Sequence, residues 1–199
     1  MISVTSICNL TSQKLGINDN IIDLSAAVVA KQRVAIEFND AYHPMRRAVL
    51  RENRWNFNTT RIILAPSATA PVFGYNYAYP LPADYMRVYE CVTNRMPWKV
   101  ERKSILTDYG DSLQVVYGAD IEDPTEFDAL FVDLLALRIA IQISPRLSQS
   151  KATKDELIQE YKDLRSVAFQ VDSMEGYGEE IEEDDWILAR VSGTQPAFY

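Results

Sequence analysis

The apolar positions along this chain change period three times. Over residues 5–15, Ile7, Leu10 and Leu15 fall near a helical spacing, and Gly16 supplies a stop because glycine enters the left-handed conformation without steric cost. A second helical pattern starts at Asp23 or Ser25, either of which can cap it, and runs through Ala30, Val34, Ala41, Met45, Ala48 and Val49 with a charged opposite face. Pro44 interrupts it; a proline inside a helix loses a hydrogen bond and clashes with the preceding turn at a cost of about 3 kcal/mol, so a kink or two helices are expected.

Between Trp55 and Tyr117 the period falls to two. Thr60, Ile62 and Leu64, then Met86, Val88 and Glu90, then Trp98, Val100 and Arg102, then Leu113, Val115 and Tyr117 each alternate, which predicts a small antiparallel sheet. YPLPADY at 79–85 reads as an irregular approach to one strand, since Pro80 and Pro82 cannot both sit in a central ladder.

Helix resumes at Asp123-Pro124-Thr125-Glu126, where Asp caps, Pro suits the first helical position and Glu closes a capping box. Phe127, Leu130, Phe131, Leu134, Leu137 and Ile141 line one face, while Val132, Leu135, Ile139 and Ile143 cover much of the rest. Such a helix must be buried on nearly every side, and Ser144-Pro145 is expected to end it. A last helix opens near Ser150 or Thr153, with Glu156 as box partner, and carries Leu157, Tyr161, Leu164, Ala168 and Val171 as a seam against its predecessor. Gly176 and Gly178 end it. The fold class this predicts is α+β, mainly α. It consists of a bundle of about four helices (1–54 and 121–175), a β-rich insertion (55–120) and an extended C-terminal arm (176–199).

Charge sharpens the picture of that arm. The net charge is −8, but residues 172–185, DSMEGYGEEIEEDD, hold eight acidic and no basic residues, leaving 20 acidic against 20 basic elsewhere. The body is neutral, so the acidity of the whole chain says little about its partners. Glu179, Glu180, Glu182, Glu183, Asp184 and Asp185 form an acidic tether, followed by the apolar Trp186, Ile187 and Leu188 and the terminal Phe198 and Tyr199. Extended arms of this kind order on a partner, with buried aromatics as anchors.

Chemistry is scarce. His43, the one histidine, lies in a helical pattern without a nucleophile elbow, and Cys8 and Cys91 have no ligand or redox spacing. The acidic run lacks the alternating ligands and turn glycine of a calcium loop, and Gly176-Tyr177-Gly178 is no phosphate cradle. No catalytic residue, metal or cofactor is therefore assigned. The longest apolar run, 131–143, contains Asp133 and Arg138 and is short of the ~20 residues of a membrane helix, and the N-terminus lacks the pattern of a signal peptide. A soluble protein is expected. Arg46, Arg47, Arg51, Arg54 and Arg61 stand against Glu52 alone; Arg47, Arg51 and Arg54, at i, i+4 and i+7, make a basic face that pairs with acids of the same or a neighbouring subunit, or meets phosphates.

AYHPMRRAVLRENRWNF (41–57), RIILA (61–65) and YPLPADYMRV (79–88) together resemble the head-to-tail adaptor, or tail tubular protein A, family of short-tailed bacteriophages. That pattern is a helix ending in an Arg-rich turn and Trp-x-Phe, a strand, then Tyr-x-Leu-Pro-x-Asp-x-x-Arg; the later order of an apolar helix and a helix with Tyr161 and Leu164 is similar too. The resemblance spans about residues 7–176, and Pro44 departs from it.

It implies a non-enzymatic virion protein, assembled in the host cytoplasm. Such subunits form a ring, usually twelve-fold, between portal and tail nozzle, through which double-stranded DNA passes. On this view Phe127, Phe131, Leu135 and Ile139 pack the ring, the β region faces tail components, the arm grips the portal or a neighbour, and no membrane is involved. Two other functions fit the sequence: a carboxylate-based glycosidase acting on cell-surface polysaccharide, and a DNA-associated scaffolding module using the arginine face.

Overall fold

A computed structural model describes residues 2–17, 20–93, 95–147 and 151–175. Among the described residues the fold is α+β and mainly α, with five α-helices where about four were expected. α1 (Val4–Lys14), α2 (Leu24–Val29) and α3 (Arg33–Glu52) precede six short strands, and α4 (Ala129–Leu147) and α5 (Lys151–Met174) follow them.

α1 is capped by Ser3, which exchanges hydrogen bonds with Ser6, and Gly16 ends it at φ +70 with Ile17 N donating to Ser12 O. The break in the next pattern falls at Lys31 and not at Pro44. Lys31 takes φ +59, Gln32 N reaches back to Ala27 O, and Lys31 N donates to Val28 O. This helix stop is usually built on glycine. Pro44 lies on the exposed side of an unbroken α3. Water can serve the carbonyl that its missing N–H leaves free.

The strands are β1 (Thr59–Leu64), β2 (Tyr77–Pro80), β3 (Tyr85–Val92), β4 (Trp98–Glu101), β5 (Ser104–Thr107) and β6 (Leu113–Ala119). They make two antiparallel sheets, β1-β6-β3 and β2-β5-β4, rather than one. Pro80 closes β2, an edge strand, where a missing ladder donor is tolerated. Arg102 lies in the β4–β5 turn with Lys103, both at positive φ, and not on a strand as its alternation suggested. The inner residues Leu64, Leu113, Val115 and Tyr117 of one sheet share a core with Tyr79 and Ile105 of the other.

α4 corrects two expectations. Asp123 caps only a single 3-10 turn, Pro124–Glu126. Phe127 returns to extended backbone, and Asp128, accepting from Leu130 N and Phe131 N, starts the helix. Helix then runs through Pro145 to Leu147. α1, α3 and α5 all pack on α4, so Phe131, Leu135 and Ile139 are wholly buried inside the single chain, and Phe127 lies in the same core ahead of the helix. These four residues are therefore unavailable for packing a ring neighbour. The reason is geometric: α4 is central, with three helices of its own chain around it. Along α5, Leu157, Tyr161 and Ala168 are buried, whereas Val171 is exposed.

Trp55 belongs to the helical core and not to the β insertion. Its Nε1 donates to Val49 O, and its ring meets Phe131 and Phe169 edge-on. Met86 of β3 is buried in the same core.

Candidate functional site

The described polar chemistry gathers where the helices meet the sheet. On α3, Phe38, Tyr42, Arg46 and Val49 follow helical spacing and all are buried. Arg46 is thus an arginine on an apolar stripe. Its guanidinium sits 2.9 Å from Asp120 Oδ1, an ion pair without hydrogen-bond alignment, donates to Ile121 O and reaches Glu122 at 3.4 Å. Arg47 Nε approaches the other oxygen of Asp120 at 3.3 Å. Buried charge is tolerated only when paired in this way. Burial pushes the neighbouring Tyr42 phenol up, an effect that the Arg46 charge partly offsets.

Two further joints flank this one. Asp172 of α5 accepts from Asn56 N at 2.9 Å and Asn53 Nδ2 at 3.3 Å, so it is a structural tie and not part of the tether. Its carboxyl is raised above the ordinary range chiefly by burial. Glu52, near the end of α3, accepts from Tyr161 Oη at 2.7 Å and pairs with Arg165 at 3.4 Å. Burial, with that carboxylate adding to it, holds the Tyr161 phenol well above its usual range.

The three arginines of the expected basic face do not share one. α3 ends at Glu52 and Asn53 is extended, so Arg54 leaves the helix to pair with Glu90 and lies over the Tyr89 ring. Arg47 is drawn to Asp120, and Arg51 stays exposed on α3. Arg47 and Arg54 thus pair with acids of the same chain, which leaves less net charge for phosphates. Sequence reasoning missed Arg46 as the central member, although its place among Phe38, Tyr42 and Val49 is a readable signal.

Exposed apolar side chains are scattered over the described surface, Ile22, Val29 and Met174 among them. Val72 and Phe73, 96% and 87% exposed, sit in the loop between β1 and β2. Ile63 and Val92 flank Gln114 across three strands on the outer face of the first sheet, and both are exposed. A cavity of 190 Å³ carries Glu126, Asp128, Asp172 and Glu175, but Asp128 caps α4 and Asp172 holds Asn56. Its volume also falls below the ~300 Å³ at which ligand pockets begin. Among the described residues no group of His, Cys, Asp and Glu is placed to hold a metal, and no helix is long and apolar enough to cross a membrane. His43 is exposed, edge-on to Tyr42.

Trp186, Ile187, Leu188, Phe198 and Tyr199, with Glu179, Glu180, Glu182, Glu183, Asp184 and Asp185, lie outside the described residues. No protein-family model matches the chain, and no curated protein matches it.

Proposed function

We propose that the chain is a structural subunit of a head-to-tail adaptor in a short-tailed bacteriophage virion. It would form a ring, twelve-fold as in the family it resembles, between portal and tail nozzle, with the genome passing through. The observation that carries this is the joint between bundle and sheet. Arg46, Trp55 and Asp84 come from the first and third of the stretches that resemble the family. Arg46 pairs with Asp120, Trp55 fills the helical core, and Asp84 accepts from Asp120 N and Tyr117 Oη. Arg46 and Asp84, from two stretches that resemble the family, thus meet through Asp120, and Trp55 packs in the core that α3 helps to build.

The exposed Val72–Phe73 tip adds support, since a loop of the β insertion is where the tail component would dock and aromatic anchors dominate such contacts. Portal gripping belongs to residues 176–199.

Deletion of residues 176–199 tests this reading; a cut at 172 would also remove the Asp172 tie to Asn56. The truncated chain is expected to keep its fold yet fail to join portal-containing particles. Mass measurement of the full chain with portal should give a closed ring. Normal incorporation of the truncated chain would refute the arm's role, and a monomer in the presence of portal would refute the ring.

A further inference from the structure

A cavity of 560 Å³ opens where α5 crosses α4 and the end of α3, and four cations line it: Arg138, Lys154, Lys162 and Arg165. Glu52 is the single carboxylate there, and it is already engaged by Tyr161 and Arg165. Among the described residues no carboxylate forms an ion pair with Arg138, Lys154 or Lys162, and Arg138 Nε is buried without a hydrogen-bond partner. The Arg138 guanidinium instead lies over the Tyr161 ring at 5.7 Å. This is a positive groove, and the densest run of negative charge in the chain follows α5.

Distances along the chain fit the two together. Lys154, Ile158, Lys162 and Arg165 lie on one face of α5, and Lys154 to Arg165 spans about 16 Å at the helical rise. From Met174 back to Arg165 is about 14 Å along the same axis. An extended chain covers up to ~3.4 Å per residue, so residues 175–179 reach Arg165 and residues 179–185 cover the groove to Lys154. Gly176 and Gly178 permit the reversal this needs.

We infer that residues 179–185 of the same chain lie antiparallel along α5 in this groove, with Glu179, Glu180, Glu182 and Glu183 among the four cations. Lys154, Lys162 and Arg165 follow one another along one face of α5, an arrangement that suits a single extended strand of carboxylates. The inference stands whether or not the chain is an adaptor.

The test is paramagnetic broadening in the full chain carrying Ile181→Cys with a nitroxide label. The Cys8 and Cys91 thiols, pushed up by burial to about 12 and about 11, stay protonated at neutral pH while the added cysteine reacts. Amide signals of Ile158, Lys162 and Arg165 should fall about twofold or more at low salt, since an intrachain segment acts at about millimolar effective concentration. The loss should disappear in Lys154→Glu/Lys162→Glu, in Glu182→Gln/Glu183→Gln and at high salt. Lys154 and Lys162 lie outside the buried core, so that variant keeps the fold, and the tail variant probes the same contact from the other side. Absent broadening, or broadening indifferent to both variants, overturns the inference. Broadening confined to a mixture of labelled chain and isotope-enriched unlabelled chain assigns the groove to a second copy's segment and overturns the intrachain strap. Equal shifts of these amides by a short DNA duplex, with no broadening from the tail label, assign the groove to phosphates and overturn it as well.

Discussion

Arg46 and Asp120 form an ion pair at 2.9 Å in which the arginine is 1% exposed. The pair joins α3 to the chain leaving β6, and Arg47 and Glu122 complete it. Breaking a buried pair typically costs about 3–5 kcal/mol, an upper figure here because Arg47 still faces Asp120 when Arg46 is lost. Arg46→Met is therefore expected to lower unfolding stability by that order in urea titration. Arg46→Met with Asp120→Asn should lose clearly less than the two single changes summed, because the stranded charge is gone. Additive losses would show that the two residues act independently.

Asp172 gives a pH signature. Burial raises its carboxyl above the ordinary range, so between the unfolded and folded midpoints the native state binds the extra proton. Stability contributed by the protonated form is complete below the unfolded pKa and is lost as pH rises through the folded one. The carboxyl resonance of Asp172 should titrate above its ordinary midpoint, and Asp172→Asn should remove that slope from the stability profile. A midpoint at or below the ordinary value would show that the hydrogen bonds from Asn56 N and Asn53 Nδ2, which lower it, outweigh the burial that raises it.

Gly118 on β6 is held small by a neighbour. A methyl there would come within 2.4 Å of Tyr89 Oη. Gly118→Ala is expected to displace Tyr89 from Asn53 O and from beneath Arg54, costing about 1–3 kcal/mol as overpacking does. Tyr89→Phe removes the nearest atom and should recover part of that loss in the double variant.

The thiols predict an order of reactivity. Cys8 is wholly buried and Cys91 half-buried, with pKa values pushed up to about 12 and about 11. A disulfide reagent at neutral pH should modify both slowly in the native protein. Raising the pH should release Cys91 first, whereas Cys8 should react only as the chain unfolds. Rapid labelling of Cys8 under native conditions would mean that α1 opens readily.

Most of the helices and four of the six strands were legible, because period and capping are local. Gly16 ended α1 where its sequence position indicated, but Lys31 ended α2 in the same geometry without a glycine to announce it. Pro44 and Pro145 are helix breakers by propensity, yet tertiary packing on α4 carries both helices through them. Asp123 and Asp128 are both good caps five residues apart, and the choice between them depends on Phe127 reaching Phe57 and Phe131. β2 and β5 are short, and their pairing brings together residues far apart in sequence. The same holds at the candidate joint. Arg46 could be picked out on its apolar stripe, but its partner Asp120, more than seventy residues away, could not be read from spacing.

Ile121 packs against both hydrophobic cores, and Met86 carries a β3 side chain into the helical one. These shared residues couple the bundle to the sheets. Heating should therefore show a single calorimetric transition whose enthalpy matches its van't Hoff value. Force applied to the strands is therefore expected to reach the helices through Met86 and Ile121.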